Sequence, residues 1–154
     1  MTEHAPQWEQ RPLPPSPHRE PRWSWDLDDA ADLTRSRRQL RTAVLAAGIP
    51  PGDIADDVDR LLLAYEELAS NGFRHGRPPV RAAVTAAGDG WLIDVTDAAV
   101  DVVPVPATDR DPALGGLGLV LISRLCGAFG WSVAAGRKHV WAYVHLPHDA
   151  VAAG

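Results

Sequence analysis

The sequence predicts an α/β fold in one domain with a tail at each end. One strongly amphipathic helix is expected before Gly76, and two pairs of alternating strands are expected at 80–97 and 131–146. A chain of 154 residues can bury a hydrophobic core without disulfides or metal ions. The predicted order is strand, two helices, two strands, a long loop, a helix and two strands.

The N-terminal segment, residues 1–22, is rich in proline and has almost no aliphatic side chains. Such a segment buries too little apolar surface to offset its loss of entropy, so we predict a disordered tail. Trp23 to Leu27 then alternates apolar and polar residues, which predicts a half-buried strand.

The first helix is expected to begin at a cap formed by Asp28 or Asp29 and to extend to about Ala47. One face of it is basic and carries Arg35, Arg37, Arg38 and Arg41. That face is either a solvated surface, which is the commoner case, or a contact surface for an acidic protein.

The second helix, expected from Asp53 to His75, has one apolar stripe and one polar face. At about 100° per residue, Glu67, Asn71 and Arg74 share the polar face, with His75 at its edge. Asparagine is unfavourable inside a helix, but its amide oxygen can bind Mg²⁺, and a glutamate one turn earlier can act as a base. A solvated polar face remains the alternative. Gly76 is expected to end the helix in the left-handed conformation.

The first hairpin is predicted from strands at Val80–Ala87 and Trp91–Asp97, joined by a turn that contains two glycines. Asp97 has the same parity as the apolar residues Trp91, Ile93 and Val95, so its carboxylate should face the core. A buried carboxylate requires a partner, and Asp97 therefore either caps the following loop or hydrogen-bonds a ligand.

The long loop from Ala98 to Gly115 leads into the glycine-rich run 115–118 and an apolar helix over Leu119–Phe129. Backbone N–H groups at such a helix start can approach an anion, although glycines alone are a weak indication. The second hairpin is predicted from strands at 131–135 and 140–146, with residues 136–139 between them.

Composition narrows the class of function. The net charge of −5 argues against direct nucleic-acid binding and against an anionic membrane surface. The single cysteine, Cys126, excludes an internal disulfide and suits a reducing compartment. There is neither an apolar run of about 18 residues nor a secretory signal, so we expect a cytoplasmic protein.

Four segments together resemble the histidine-kinase-like (GHKL, or Bergerat-fold) ATPases, in particular the branch of anti-sigma-factor serine/threonine kinases. Glu67–Gly76 is similar to the N box of that family, and Leu92–Asp97 lies at its adenine-binding motif. Gly115–Val120 resembles its second glycine box, and Gly136–Trp141 resembles its closing strand. The resemblance covers residues 23–147 and leaves 148–154 as a C-terminal tail.

The resemblance implies a two-layer α+β sandwich, in which a mixed, mostly antiparallel sheet has helices on one face and ATP lies between the layers. By position, Asn71 would coordinate Mg²⁺, Glu67 would be the catalytic base, and Asp97 would accept a hydrogen bond from the adenine amino group. The other ATP contacts would come from His75, Gly116, Leu117, Gly118, Leu119 and Lys138. Many relatives carry glycine two residues after the adenine-binding aspartate, and Ala99 in that position predicts a reduced affinity for nucleotide.

The implied function is an ATP-binding anti-sigma-factor-like regulator with serine/threonine kinase activity on a small antagonist protein. Its implied partners are a sigma factor and that antagonist, and relatives form homodimers. The alternative is a non-catalytic ATP-binding module that regulates by protein contact. A third possibility is an α/β scaffold that binds no nucleotide.

Overall fold

The computed structural model describes residues 8–14, 21–47, 54–104 and 117–146. Its elements are three helices and five strands. In chain order they are β1 (Trp23–Asp26), α1 (Ala30–Ala46), α2 (Ile54–His75), β2 (Arg81–Ala87), β3 (Gly90–Asp97), α3 (Leu117–Leu125), β4 (Ala128–Ala134) and β5 (Arg137–His145). The described strands form one sheet in the order β1-β2-β3-β5-β4, and every neighbouring pair is antiparallel.

The helices cover one face of this sheet, which confirms the predicted two-layer α+β class. Helix α2 lies at the centre and packs against α1, α3, β3 and β5. Its apolar stripe, including Leu61, Tyr65 and Leu68, is fully buried against sheet residues such as Ile93 and Ala142. The apolar residues that recur about every 3.6 positions along the helix therefore pack against those that alternate along the strands, and together they form one core.

Helix α1 begins where the sequence predicts. Asp29 is its N-cap and accepts a hydrogen bond from the backbone N–H of Asp32, whose side chain accepts from the backbone of Asp29 in return. This reciprocal capping box satisfies two N–H groups that a helix start otherwise leaves free. Between the helices, the phenol of Tyr65 donates to Ser36 Oγ at 2.6 Å, and burial raises the pKa of Tyr65 to about 12.

The last helix and the last hairpin differ from the prediction. Helix α3 ends at Leu125 instead of Phe129, because Ala128 and Phe129 already pair with β5 as part of β4. The second hairpin turns at Ala135 and Gly136, both with positive φ (53° and 75°). Two such residues in succession form a tight hairpin turn. Lys138 therefore lies within β5 and not in the connecting loop.

Gly76 follows the end of α2 as predicted, but not for the predicted reason. Its φ is not positive, so the left-handed conformation was a wrong expectation. A Cβ at this position would lie 2.5 Å from the carbonyl oxygen of Gly72 and 2.6 Å from Cγ of Asp97. The position requires glycine because the backbone and the end of β3 come so close.

Residues 8–14 lie against the domain, which differs from the disordered tail predicted for residues 1–22. Gln10 forms a parallel bridge with Trp131 of the edge strand β4, and Trp8 is only 5% exposed. The indole of Trp8 packs 4.9 Å from Phe129 and donates to the carbonyl of Leu119. The rest of both predicted tails, residues 1–7, 15–20 and 148–154, lies outside the described residues.

Cys126 is a buried thiol at the end of α3, and burial raises its pKa to about 12. Among the described helices, none combines the length and the apolar character that crossing a membrane requires.

Candidate functional site

Helix α2 carries the two predicted catalytic and metal-binding side chains on one face. Glu67 and Asn71, one turn apart, are both half-buried, while His75 at the end of the helix is exposed. Burial raises the pKa of Glu67; the neighbouring Glu66 adds to the increase, and Arg74 opposes it. A carboxylate whose pKa is raised is a better proton acceptor near neutral pH, as a general base requires.

The carboxylate of Asp97 lies at the end of β3 and is 1% exposed. Its Oδ1 accepts a hydrogen bond from the backbone N–H of Ala99 at 2.7 Å and a longer one from that of Arg77 at 3.4 Å. The local cap is therefore present. The second alternative, hydrogen bonding to a ligand, would fall to the other oxygen, Oδ2.

Lys138 faces Asp97 across strands β3 and β5, which pair these two residues in register. Its Nζ lies 3.5 Å from Asp97 Oδ2, and the residue is only 2% exposed. The same ammonium donates a hydrogen bond to the carbonyl of Val102 at 3.0 Å. The sequence reading missed this ion pair, although Lys138 shares its strand parity with the apolar residues Val140 and Ala142.

The ends of α2 and β3 meet at this point. Gly76 follows the last residue of α2, and a Cβ there would approach Asp97 Oδ2 to 2.8 Å. The helix that carries Glu67 and Asn71 and the strand that carries Asp97 thus come together at one end of the domain.

The glycine-rich run is described only in part. Gly116 and most of the predicted long loop lie outside the described residues, in the range 105–116. Leu117, Gly118 and Leu119 form the first turn of α3, which starts two residues earlier than predicted and packs on α2. A helix start is suited to binding phosphate through its backbone N–H groups.

Within the described residues, no cluster of three histidine, cysteine or acidic side chains could hold a metal ion. The chemistry of the site nevertheless fits a nucleotide-borne Mg²⁺, because that ion usually takes few protein ligands and most of its other ligands from phosphates and water. The half-buried amide of Asn71 is the candidate protein ligand.

A second feature is a cavity of about 300 Å³ between α1 and α2. It is lined by Leu33, Thr34, Arg37, Arg38, Arg41 and Glu66. Arg37 pairs with Glu66 at 3.2 Å, and Arg35 pairs with Asp32 on its own helix. Contact of this basic face with an acidic protein remains a prediction.

Comparison with known proteins supplies the context for this geometry. A sequence model of the histidine kinase-like ATPase domain matches residues 28–143. A search of curated proteins found no significant match.

Among solved structures, the RsbU and RsbW domains of Rv1364c from Mycobacterium tuberculosis are similar, with a TM-score of 0.55 and 19% identity. The similarity covers 86% of this chain and 35% of that one, so this chain spans about a third of the other's length. The Acinetobacter baumannii histidine kinase AdeS matches with a TM-score of 0.44 and 15% identity, over 80% of this chain and 67% of that one. At 19% identity, the match to the Rv1364c domains shows a shared fold.

Proposed function

Since the chain belongs to the histidine kinase-like ATPase family, we propose that it is an ATP-binding regulator of the anti-sigma-factor kind with serine/threonine kinase activity on a small antagonist protein. Family membership implies ATP binding. One observation carries the finer proposal: α2 presents a half-buried Glu67 with a raised pKa one turn from a half-buried Asn71.

Each residue has a distinct role in this proposal. Asn71 would hold Mg²⁺ through its amide oxygen, and the ion would neutralise charge on the phosphates when bound. Glu67 would take the proton from the attacking serine or threonine hydroxyl. Asp97 would accept a hydrogen bond from the adenine amino group. Phosphoryl transfer needs little more from a protein than such positioning and charge neutralisation.

The start of α3 completes the proposed site. The N–H groups of Gly116, Leu117, Gly118 and Leu119 would bind phosphate oxygens, with His75 as a further contact. Lys138, also predicted to contact ATP, has its ammonium beside Asp97 and would therefore meet the nucleotide at its base end, at the oxygen to which adenine would bind.

The proposed partners follow from the same reading. They are a sigma factor and the antagonist protein that the kinase would phosphorylate, and the protein would act in the cytoplasm. A homodimer is part of the proposal. Direct nucleic-acid binding and membrane association are not, since the net charge of −5 provides no attraction for either.

A second candidate is a module that binds ATP without turning it over. The ion pair between Asp97 and Lys138 weakens the adenine acceptor in both candidates, so transfer of phosphate is what distinguishes them.

Radiolabelled ATP and candidate antagonist proteins distinguish the two. We expect label transfer to the antagonist in the wild type and its loss in Glu67→Ala, while Mg·ATP binding persists. Asp57→Ala is the matched control, because Asp57 is another carboxylate of α2 and pairs with Arg60 near the start of that helix. Binding without transfer in the wild type would leave the non-catalytic module, and absence of ATP binding would refute both.

A further inference from the structure

The carboxylate assigned to adenine recognition is paired with a buried ammonium group. Lys138 is 2% exposed and Asp97 is 1% exposed, with 3.5 Å between Nζ and Oδ2. Lysine is almost never fully buried unless it is paired. Among the described residues, Asp97 is the only carboxylate within ion-pair distance of Lys138. The ammonium therefore depends on this one carboxylate.

Protein groups also surround the rest of the Asp97 carboxylate. Oδ1 accepts from the backbone N–H of Ala99 at 2.7 Å. The backbone of Gly76 lies so close that a Cβ there would be 2.8 Å from Oδ2. The carboxylate thus has little free surface for a nucleotide base in this arrangement.

Lys138 also holds the segment that follows Asp97. Its Nζ donates to the carbonyl of Val102 at 3.0 Å, and Ala99 on the same segment is fully buried. This segment is the start of the long loop that is predicted from Ala98 to Gly115. One ammonium group therefore fixes both the carboxylate and the chain beside it.

We propose that Lys138 competes with the adenine amino group for the Asp97 carboxylate and thereby sets a low affinity of the site for ATP. The inference rests on the proposed function, in which Asp97 receives the adenine amino group. The Lys138 ammonium and the adenine amino group would both donate to Oδ2 of Asp97. The ammonium also compensates the negative charge of the carboxylate, which is what makes a hydrogen bond to it strong. An internal competitor lowers the apparent affinity by the fraction of molecules in which the acceptor is free.

The first test replaces the charge at position 138. Lys138→Met keeps the apolar stem and removes the ammonium, whereas Lys138→Arg keeps a cation. In calorimetric titration with Mg·ATP we expect the dissociation constant of Lys138→Met to fall at least about tenfold below that of the wild type, because the freed carboxylate can make a charge-assisted hydrogen bond. Lys138→Arg should remain within about threefold. An unchanged or weaker affinity in folded Lys138→Met overturns the proposal.

A second test needs no variant, so it stands even if Lys138→Met does not fold. Purine riboside triphosphate lacks the 6-amino group of ATP. Because Lys138 occupies the carboxylate, the wild type should bind ATP and this analogue within about threefold of each other. A free carboxylate would favour ATP by about tenfold or more. A preference of that size in the wild type overturns the proposal.

The outcomes separate this inference from the proposed function. If ATP binds to neither the wild type nor the folded variants, ATP binding itself is refuted. The proposed competition between Lys138 and adenine is then refuted as well. If the wild type and Lys138→Met bind ATP equally and both discriminate against the analogue, ATP binding stands and the competition is refuted.

Discussion

The indole of Trp141 donates a hydrogen bond to the backbone carbonyl of Arg11, across 130 positions of the sequence, at 3.0 Å. Trp141 lies on the face of the sheet opposite the helices, in a small apolar cluster with Ala87 and Leu92. Around it, the backbone N–H of Arg11 donates to Trp131, and the indole of Trp131 donates to Trp8. Residues 8–14 thus bind the edge strand β4 through backbone and indole groups.

The binding of residues 8–14 to the edge strand β4 predicts that Trp8 stabilises the domain. Trp8→Ala removes a buried indole, and we expect a loss of up to about 3 kcal/mol in the free energy of unfolding. This is the lower end of the usual range for truncating a buried tryptophan, because residues 8–14 lie at the edge of the sheet. Denaturant unfolding measures the loss.

The control for this experiment is Glu9→Ala. The Glu9 side chain is exposed, while its backbone carbonyl keeps the hydrogen bond from Trp131. It should change stability by less than about 0.5 kcal/mol. Equal stability of Trp8→Ala and the wild type would show that the segment does not contribute to folding.

The docking of residues 8–14 against β4 could not be predicted from the sequence. Proline content predicted a tail, since composition within residues 1–22 gives no sign of partners elsewhere. Those partners, Trp131 and Trp141, lie more than 100 residues later, in the paired strands β4 and β5. Local patterns predicted helix α2 and both faces of β3 because their periodicity is contained within each element.

The site was predictable to a similar extent. The helical period places Glu67 and Asn71 on one face of α2. The alternation along a strand directs Asp97 inward, so both features follow from the sequence pattern alone. The ion pair with Lys138 does not, because it depends on a turn at Ala135 and Gly136. Alanine rarely adopts positive φ, so the sequence favoured a longer turn that left Lys138 outside the strand.

A further prediction concerns that buried ion pair. Asp97→Ala leaves the Lys138 ammonium buried without its partner, and we expect a loss of about 3–5 kcal/mol in the free energy of unfolding. The double variant Asp97→Ala with Lys138→Met removes both charges and should regain most of that loss, and Lys138→Met alone completes the cycle. A double-mutant cycle measures the coupling, and additive losses would show that the two groups do not interact.

Gly76 predicts a steric effect. Gly76→Ala places a methyl group 2.5 Å from the carbonyl oxygen of Gly72 and 2.6 Å from Cγ of Asp97. Both distances are too short, so the end of α2 or the side chain of Asp97 must shift. We expect a loss of about 1–3 kcal/mol in stability, as for other overpacked positions. Gly127→Ala is the control, because a Cβ there meets nothing within 4 Å. Equal stability of the two variants would contradict the close approach of α2 and β3.

The last prediction concerns pH. His139 on β5 lies 2.9 Å from Asp94 on β3, and this hydrogen bond raises the pKa of His139, against opposition from partial burial and Arg137. A pKa raised on folding contributes stability that is fully present below the unfolded value of about 6.5 and is lost as pH rises through the folded value. The stability difference between the wild type and His139→Gln should therefore be largest near pH 5.5 and shrink toward pH 8.5. For a cross-strand pair we expect less than about 1 kcal/mol, measured by denaturant unfolding across this range. Asp94→Asn should give a difference of the same sign and pH trend, and a difference that grows with pH would contradict the pairing.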